Sequence, residues 1–231
     1  MLKRNLANFL TLLNLLFGLL SLVWLFDGKW DWAFYAFLAG IFFDYIDGFV
    51  ARITGTSSEI GLQLDSLADM VTSGVVPGIL VFLYGRDHGL VEPYVYGAFL
   101  ISLGAAWRLA GFNIDDRQTT GFIGLPTPAN ALMWFGIILT ALRGEGFWSR
   151  IYGNIYFLAA MIVFSVWIMN APIRLIALKF KHFGWHENVL RYAIVIVSML
   201  MILLGGLAFV PVSVGLYIVL SLIFENQKEI A

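Results

Sequence analysis

Cysteine is absent from the 231 residues, which excludes disulfide cross-links and thiolate metal sites. Histidine is scarce at three residues, too few to make a histidine-built metal centre the first choice. Charge is thin: Asp, Glu, Lys and Arg make up 13% of the chain, against about 25% in an average soluble domain. No polar stretch between the apolar runs is long enough for a soluble domain of useful size. What fills the chain is apolar: 60% hydrophobic and 16% aromatic residues, with a mean hydropathy of +0.85. These features place the chain among all-α integral membrane proteins.

Apolar runs predict about eight transmembrane helices. They lie near Leu6–Phe26, Trp32–Val50, Ile60–Tyr84, Tyr94–Phe112, Pro126–Leu142, Ile151–Met169, Val189–Leu204 and Leu207–Phe224. Gly205-Gly206 is expected to turn the last two into a hairpin. The first run follows Lys3 and Arg4 like a secretory leader, but it is long and lacks a small-residue cleavage site, so it is read as a span. Alternate assignment of the loops places ten of the 14 basic residues on the side of the N-terminus and four on the other. The positive-inside bias puts both termini in the cytoplasm, and with them the polar end of spans two and three. Trp24, Trp30 and Trp32 are expected in an aromatic belt at the opposite face.

Four aspartates interrupt this pattern: Asp44, Asp47, Asp65 and Asp69. A carboxylate at a membrane-helix centre costs about 2.5–3.5 kcal/mol on insertion scales, so four in one region call for compensating positive charge. Asp44 and Asp47 are spaced i,i+3, and Asp65 and Asp69 are i,i+4, so each pair shares one face of its helix. Two such helices side by side make a hard oxygen cage suited to Mg2+ or Mn2+. On the carboxylates alone, the ion path of a divalent-cation transporter is the alternative.

The string Asp44-x2-Asp47-Gly48-x2-Ala51-Arg52-x8-Gly61-x3-Asp65-x3-Asp69 resembles the signature of the CDP-alcohol phosphotransferases at every fixed position. Asn8-Phe-Leu-Thr11-Leu-Leu-Asn14 resembles that family's opening helix. The resemblance implies a six-helix catalytic core over residues 1–170 of a single membrane domain, 1–231. An interfacial segment, 171–187, and a helical hairpin, 188–231, would follow. It implies two Mg2+ or Mn2+ ions held by Asp44, Asp47, Asp65 and Asp69, with Asp69 also the general base. It assigns the CDP-linked donor to Asn8, Thr11, Gly48, Ala51, Arg52, Ser58 and Gly61. Asn8 and Thr11 have a second reading as caps of the first span, and Ser58 as an ordinary loop serine. Members of the family are commonly homodimers, so a homodimer is expected. No nucleic-acid partner is expected, and the surrounding lipids of the cytoplasmic (inner) membrane complete the partners.

Two further segments bear on the acceptor. Gln63 to Pro77, and Arg108-Leu-Ala-Gly111-Phe-Asn113 followed by Gly121 to Ala129, resemble the membrane-integral bacterial phosphatidylserine synthases. That implies transfer of the phosphatidyl group from CDP-diacylglycerol to the hydroxyl of L-serine, with release of CMP. Arg108 and Asn113 then become candidate serine contacts, with Gly124 and Pro126 opening span five, where backbone N–H groups and the helix dipole favour a carboxylate. Gly111 stands where that group commonly carries a basic residue, so glycerol 3-phosphate, inositol phosphate and choline remain alternative acceptors.

Three weaker signals complete the reading. Ile173 to His186 interleaves Arg174, Lys179 and Lys181 with apolar residues and reads as an interfacial helix or a basic loop. His182 and His186 are spaced for a metal but lack a clear third ligand beyond Glu187. Pro77, inside Gly74-x3-Gly78, predicts a kink or hinge.

Overall fold

The computed structural model describes residues 2–55, 58–114, 122–144, 146–176 and 185–228. The chain divides into two compact units, Met1–Ala110 and Gly111–Ala231.

The first unit opens with α1 (Leu2–Phe26) and α2 (Trp30–Thr54), packed along each other. Gly28 makes the turn between them at φ +71°, a left-handed conformation open to glycine without strain. The Lys29 N–H closes the turn on the Trp24 carbonyl at 2.8 Å. Lipid is as apolar as leucine, so membrane helices associate through close packing and hydrogen bonds rather than hydrophobic burial. The α2 face turned inward carries small residues, Ala33, Ala36 and Gly40, beside the wholly buried ring of Phe37. Ser21 on α1 donates to the Ala33 carbonyl at 2.8 Å.

Next come α3 (Glu59–Asp69), a π-helical turn (Met70–Val75) and α4 (Val76–Asp87), which read as one 29-residue span, Glu59–Asp87. Pro77, where the sequence predicts a kink or hinge, follows the π turn. The helix widens before it, with the Val76 N–H reaching back five residues to the Val71 carbonyl. Pro77 then falls in the first turn of α4. A 3-10 turn (Tyr94–Phe99) leads into α5 (Leu100–Ile114). Ser102 donates to the Gly74 carbonyl at 2.9 Å. A β-carbon on Gly74 would lie 3.2 Å from Ala105, and one on Gly78 would meet Ser102 and Ala98. These pairings run antiparallel and bring Arg108, one turn past Ala105, to the level of Asp69 and Met70.

The second unit is built around α6 (Thr127–Leu142). Trp134, Phe135, Ile137 and Ile138 on it are wholly buried. Trp134 Nε1 donates to Ser165 Oγ at 3.1 Å, and Ser165 Oγ donates to Asn130 Oδ1 at 2.7 Å. Against α6 pack α7 (Gly146–Tyr152), α8 (Ile155–Asn170) and, after α9 (Trp185–Gly205), a 3-10 turn (Gly206–Phe209) and α10 (Val210–Lys228). Gly206 takes φ +64°, and Ser213 on α10 reaches back to Met201 on α9. The expected glycine hairpin is therefore present. As one straight helix, the 37-residue apolar stretch Asn188–Phe224 would be about 55 Å long, well beyond a bilayer core.

Helices run through all eight expected spans, with Ile151–Met169 broken at Gly153-Asn154. By length and apolar character five stretches are long enough to cross a membrane, or six with α7 and α8 taken as one span bent by 68°. The 16-residue α6 falls short of that length. At 1.5 Å per residue it covers only about 24 Å. The helical reading of the interfacial segment fails at its start. Arg174–Leu175 is a strand (β2) pairing antiparallel with Phe122–Ile123 (β1). Ile176 is tied to α10 through Ser221 Oγ and Tyr217 Oη, at 3.2 and 2.9 Å. Residues 177–184, including Lys179, Lys181 and His182, and the side chains of His186 and Glu187 lie outside the described residues.

Candidate active site

Two local signals end α2 and start α3 around the aspartates. Gly55, at φ +61°, caps α2 with its N–H on the Ala51 and Arg52 carbonyls. Ser58 caps α3, its hydroxyl accepting from the Gly61 N–H at 3.1 Å. The helices that leave this connection bring Asp44 and Asp47 on α2 against Asp65 on α3. The three carboxylates offer oxygens that all lie within 4.8 Å of one another. Asp47 is buried, and its Oδ2 has no hydrogen-bond partner. Clustered carboxylate oxygens, one of them buried and unsatisfied, match the donor set a hard divalent cation takes. Asp69 is not one of the three. It ends α3 at the edge of the π turn, and its Oδ1 accepts from Asn14 Nδ2 at 3.2 Å.

A cavity of about 170 Å³ opens beside the cluster. Asp47 and Asp65 form its acidic end. Asn8 and Thr11 line it from α1, Gly48 and Ala51 from α2, and Ser58 and Gly61 from the start of α3. Six of the seven expected donor residues therefore meet in one place. Arg52 is the exception: it is exposed on the last turn of α2, with Nη1 3.8 Å from where a Gly48 β-carbon would stand. Asn8 and Thr11 are not caps, because α1 begins at Leu2 and holds both within it. The Thr11 hydroxyl bonds back to the Ala7 carbonyl at 3.1 Å, a usual resting place for a threonine inside a membrane helix. At Gly61 a β-carbon would come within 3.1 Å of Ser58 Oγ and 3.2 Å of Asn8 Oδ1, so a side chain there would fill the cavity wall.

The expected acceptor residues fare differently. Arg108 is buried, 9% exposed, and close enough to Asp69 for its charge to act on that carboxylate. Asn113 lies in the last turn of the same helix, half-buried. Gly124, Leu125 and Pro126, just before α6, do not offer the expected backbone donors. The Gly124 N–H is already on the Ile173 carbonyl at 2.8 Å, the Leu125 N–H is on the Ile168 carbonyl at 2.9 Å, and Pro126 has none. Gly124 instead sits at φ +72° against the Met169 backbone, where a β-carbon would collide. Glycine there is a demand of packing.

The sequence motifs assign no role to Asn14, which closes the opening-helix motif, or to Thr72. Asn14 holds Asp69, and Thr72 Oγ1 donates to the Asn14 carbonyl at 3.2 Å. The clue was the spacing of Asn8, Thr11 and Asn14, three residues apart each time and so on one face of α1.

The model of the CDP-alcohol phosphatidyltransferase family matches residues 4–224. The chain belongs to that family. Its members use divalent metals, in keeping with the aspartate cluster. Membership also sets aside the cation-transporter alternative. Among curated relatives, the chain is 29% identical over 221 residues to a CDP-diacylglycerol–serine O-phosphatidyltransferase of Helicobacter pylori, covering 94% of this chain and 89% of that one. It is 38% identical over 132 residues to the enzyme of that name from Methanocaldococcus jannaschii, covering 57% and 59%. It is 33% identical over 142 residues to an archaetidylserine synthase of Methanothermobacter thermautotrophicus, covering 61% and 60%.

Proposed function

We propose that the protein moves the phosphatidyl group of CDP-diacylglycerol onto the hydroxyl of L-serine and releases CMP. The observation that carries this reading is the meeting of Asp47 and Asp65, clustered with Asp44, at one cavity with Asn8, Thr11, Gly48, Ala51, Ser58 and Gly61. Relatives named for serine transfer align over nearly the whole chain and support serine as the acceptor.

Two ions, Mg2+ or Mn2+, would be held by the aspartates, Asp69 completing the set. When bound they supply the positive charge that offsets the donor's pyrophosphate and the charge developing on the leaving CMP. The side chains do the rest. Asn8, Thr11 and Ser58 hold the nucleotide end of the donor, and Gly48 and Gly61 let it approach the backbone closely. Asp69 accepts the proton of the serine hydroxyl as its oxygen bonds to the lipid-side phosphorus and the bond from phosphorus to CMP breaks. Arg108 meets the serine carboxylate, with Asn113 further along the same helix. Arg52 pairs with phosphate at the water boundary. The site faces the cytoplasm of the inner membrane, where serine is dissolved, and the donor's tails stay in the bilayer. Two copies of the chain form a homodimer.

The test is CMP release by the purified protein in detergent with CDP-diacylglycerol and Mg2+ or Mn2+. Serine, glycerol 3-phosphate, inositol phosphate and choline are supplied one at a time. Release with serine alone is the expected result. Release with another alcohol keeps the family and replaces the acceptor, the outcome that Gly111 would then explain.

A further inference from the structure

Asn14 is wholly buried, 0% exposed, in the run Leu12-Leu-Asn14-Leu-Leu16 of α1. An amide inside a membrane helix is costly unless it is bonded. Its Nδ2 donates to Asp69 Oδ1 at 3.2 Å, linking residues 55 apart. The Asn14 carbonyl accepts a second bond from Thr72 Oγ1, also at 3.2 Å. Thr72 stands on the π turn that begins just after Asp69. The asparagine is thus tied to that turn by its side chain and by its backbone.

Two glycines keep this arrangement tight. A β-carbon on Gly40 of α2 would lie 2.9 Å from Thr72 Cγ2 and 3.2 Å from Asn14 Oδ1. One on Gly18, a turn past Asn14, would collide with Thr72 Oγ1. With α2 against Oδ1 and Thr72 against its carbonyl, the amide has little room to turn away. The bond holds Oδ1 of Asp69, and fixing that oxygen sets the plane in which Oδ2 is presented.

We propose that Asn14 is a positioning residue for the transfer reaction: it holds one oxygen of Asp69 so that the other meets the acceptor's hydroxyl. This rests on the reading of Asp69 as the group that takes the hydroxyl proton. Asn14 touches neither substrate. It acts through the carboxylate, by fixing the direction from which the proton is taken. A purely packing role for Asn14 would affect folding and donor binding instead.

The experiment compares Asn14→Leu, Asn14→Ala and Asp69→Asn in the full-length protein with Mn2+, by CMP release at varied CDP-diacylglycerol and serine. Leu keeps roughly the volume of the amide, and Ala cannot crowd the junction, so one of them tests the idea if the other does not fold. The expected result is a fall in kcat of about 100-fold, the scale of a small misplacement at a reacting centre, with KM for CDP-diacylglycerol little changed. A folded Asn14 variant that turns over at the parent rate would overturn the proposal. So would one that keeps kcat and loses affinity for the donor. Parental turnover in Asp69→Asn would sink the underlying reading of Asp69, and that single variant tells the two failures apart.

Discussion

The Ser58 hydroxyl accepts the Gly61 N–H at 3.1 Å, and both residues stand on the wall of the acidic cavity. One bond therefore starts α3 and shapes the wall of that cavity. Ser58→Ala should cost about 1 kcal/mol through the lost cap, read as a lower melting temperature, with a modest rise in KM for the CDP-lipid. Gly61→Ala should leave stability nearly unchanged but weaken donor binding about tenfold, a loss of ~1.4 kcal/mol, because its methyl takes up the cavity wall. Equal donor KM in parent and Gly61→Ala would place the donor elsewhere.

The cluster of Asp44, Asp47 and Asp65 should make the protein's stability depend on divalent cations. Like charges this close repel until an ion joins them. At a Mn2+ concentration 100 times its dissociation constant, binding should add about 2.7 kcal/mol to folding stability. Thermal unfolding in detergent, with Mn2+ and with EDTA, measures this. Asp47→Asn should abolish most of the difference, while Asp31→Asn, on the first turn of α2, should leave it intact.

Arg108→Ala should raise KM for serine more than KM for CDP-diacylglycerol, in initial-rate measurements with each substrate varied. Arg108→Lys should recover only part of the loss, because an ammonium lacks the paired donors of a guanidinium. An unchanged serine KM would return Arg108 to a role in packing or in balancing Asp69.

Away from the site, Trp134→Phe should destabilise the second unit by about 0.5–1.5 kcal/mol, the worth of the hydrogen bond to Ser165. Ser165→Ala should cost at least as much, since it leaves both Trp134 Nε1 and Asn130 Oδ1 unmatched. Neither change should alter KM for either substrate, which separates scaffold from site.

Much of this was legible in the chain. The four aspartates read true as pairs on helix faces because helical periodicity alone dictates who shares a face. Family resemblance names seven candidate donor residues, and the structure gathers all but Arg52 at one cavity. Three things were hidden. That Asp69 stands outside the trio and meets Asn14, 55 residues away, is a tertiary matter that no local pattern announces. The Gly124 and Leu125 N–H groups bond carbonyls some 40 to 50 residues away, so their occupation is a tertiary event. Ile173 to His186 mixes basic and apolar residues as an interfacial helix can, and only the pairing of Arg174–Leu175 with Phe122–Ile123 makes its start a strand.

The junction of Asn14, Gly18, Gly40 and Thr72 has a bearing on how such a chain diverges. An alanine at position 40 needs the methyl of residue 72 to be gone, as in serine. An alanine at position 18 needs its hydroxyl to be gone, and then the backbone of Asn14 loses its partner. Single changes are therefore uphill, whichever comes first. Among descendants that keep Asp69 at work, these four positions should be inherited as a block and drift only in company.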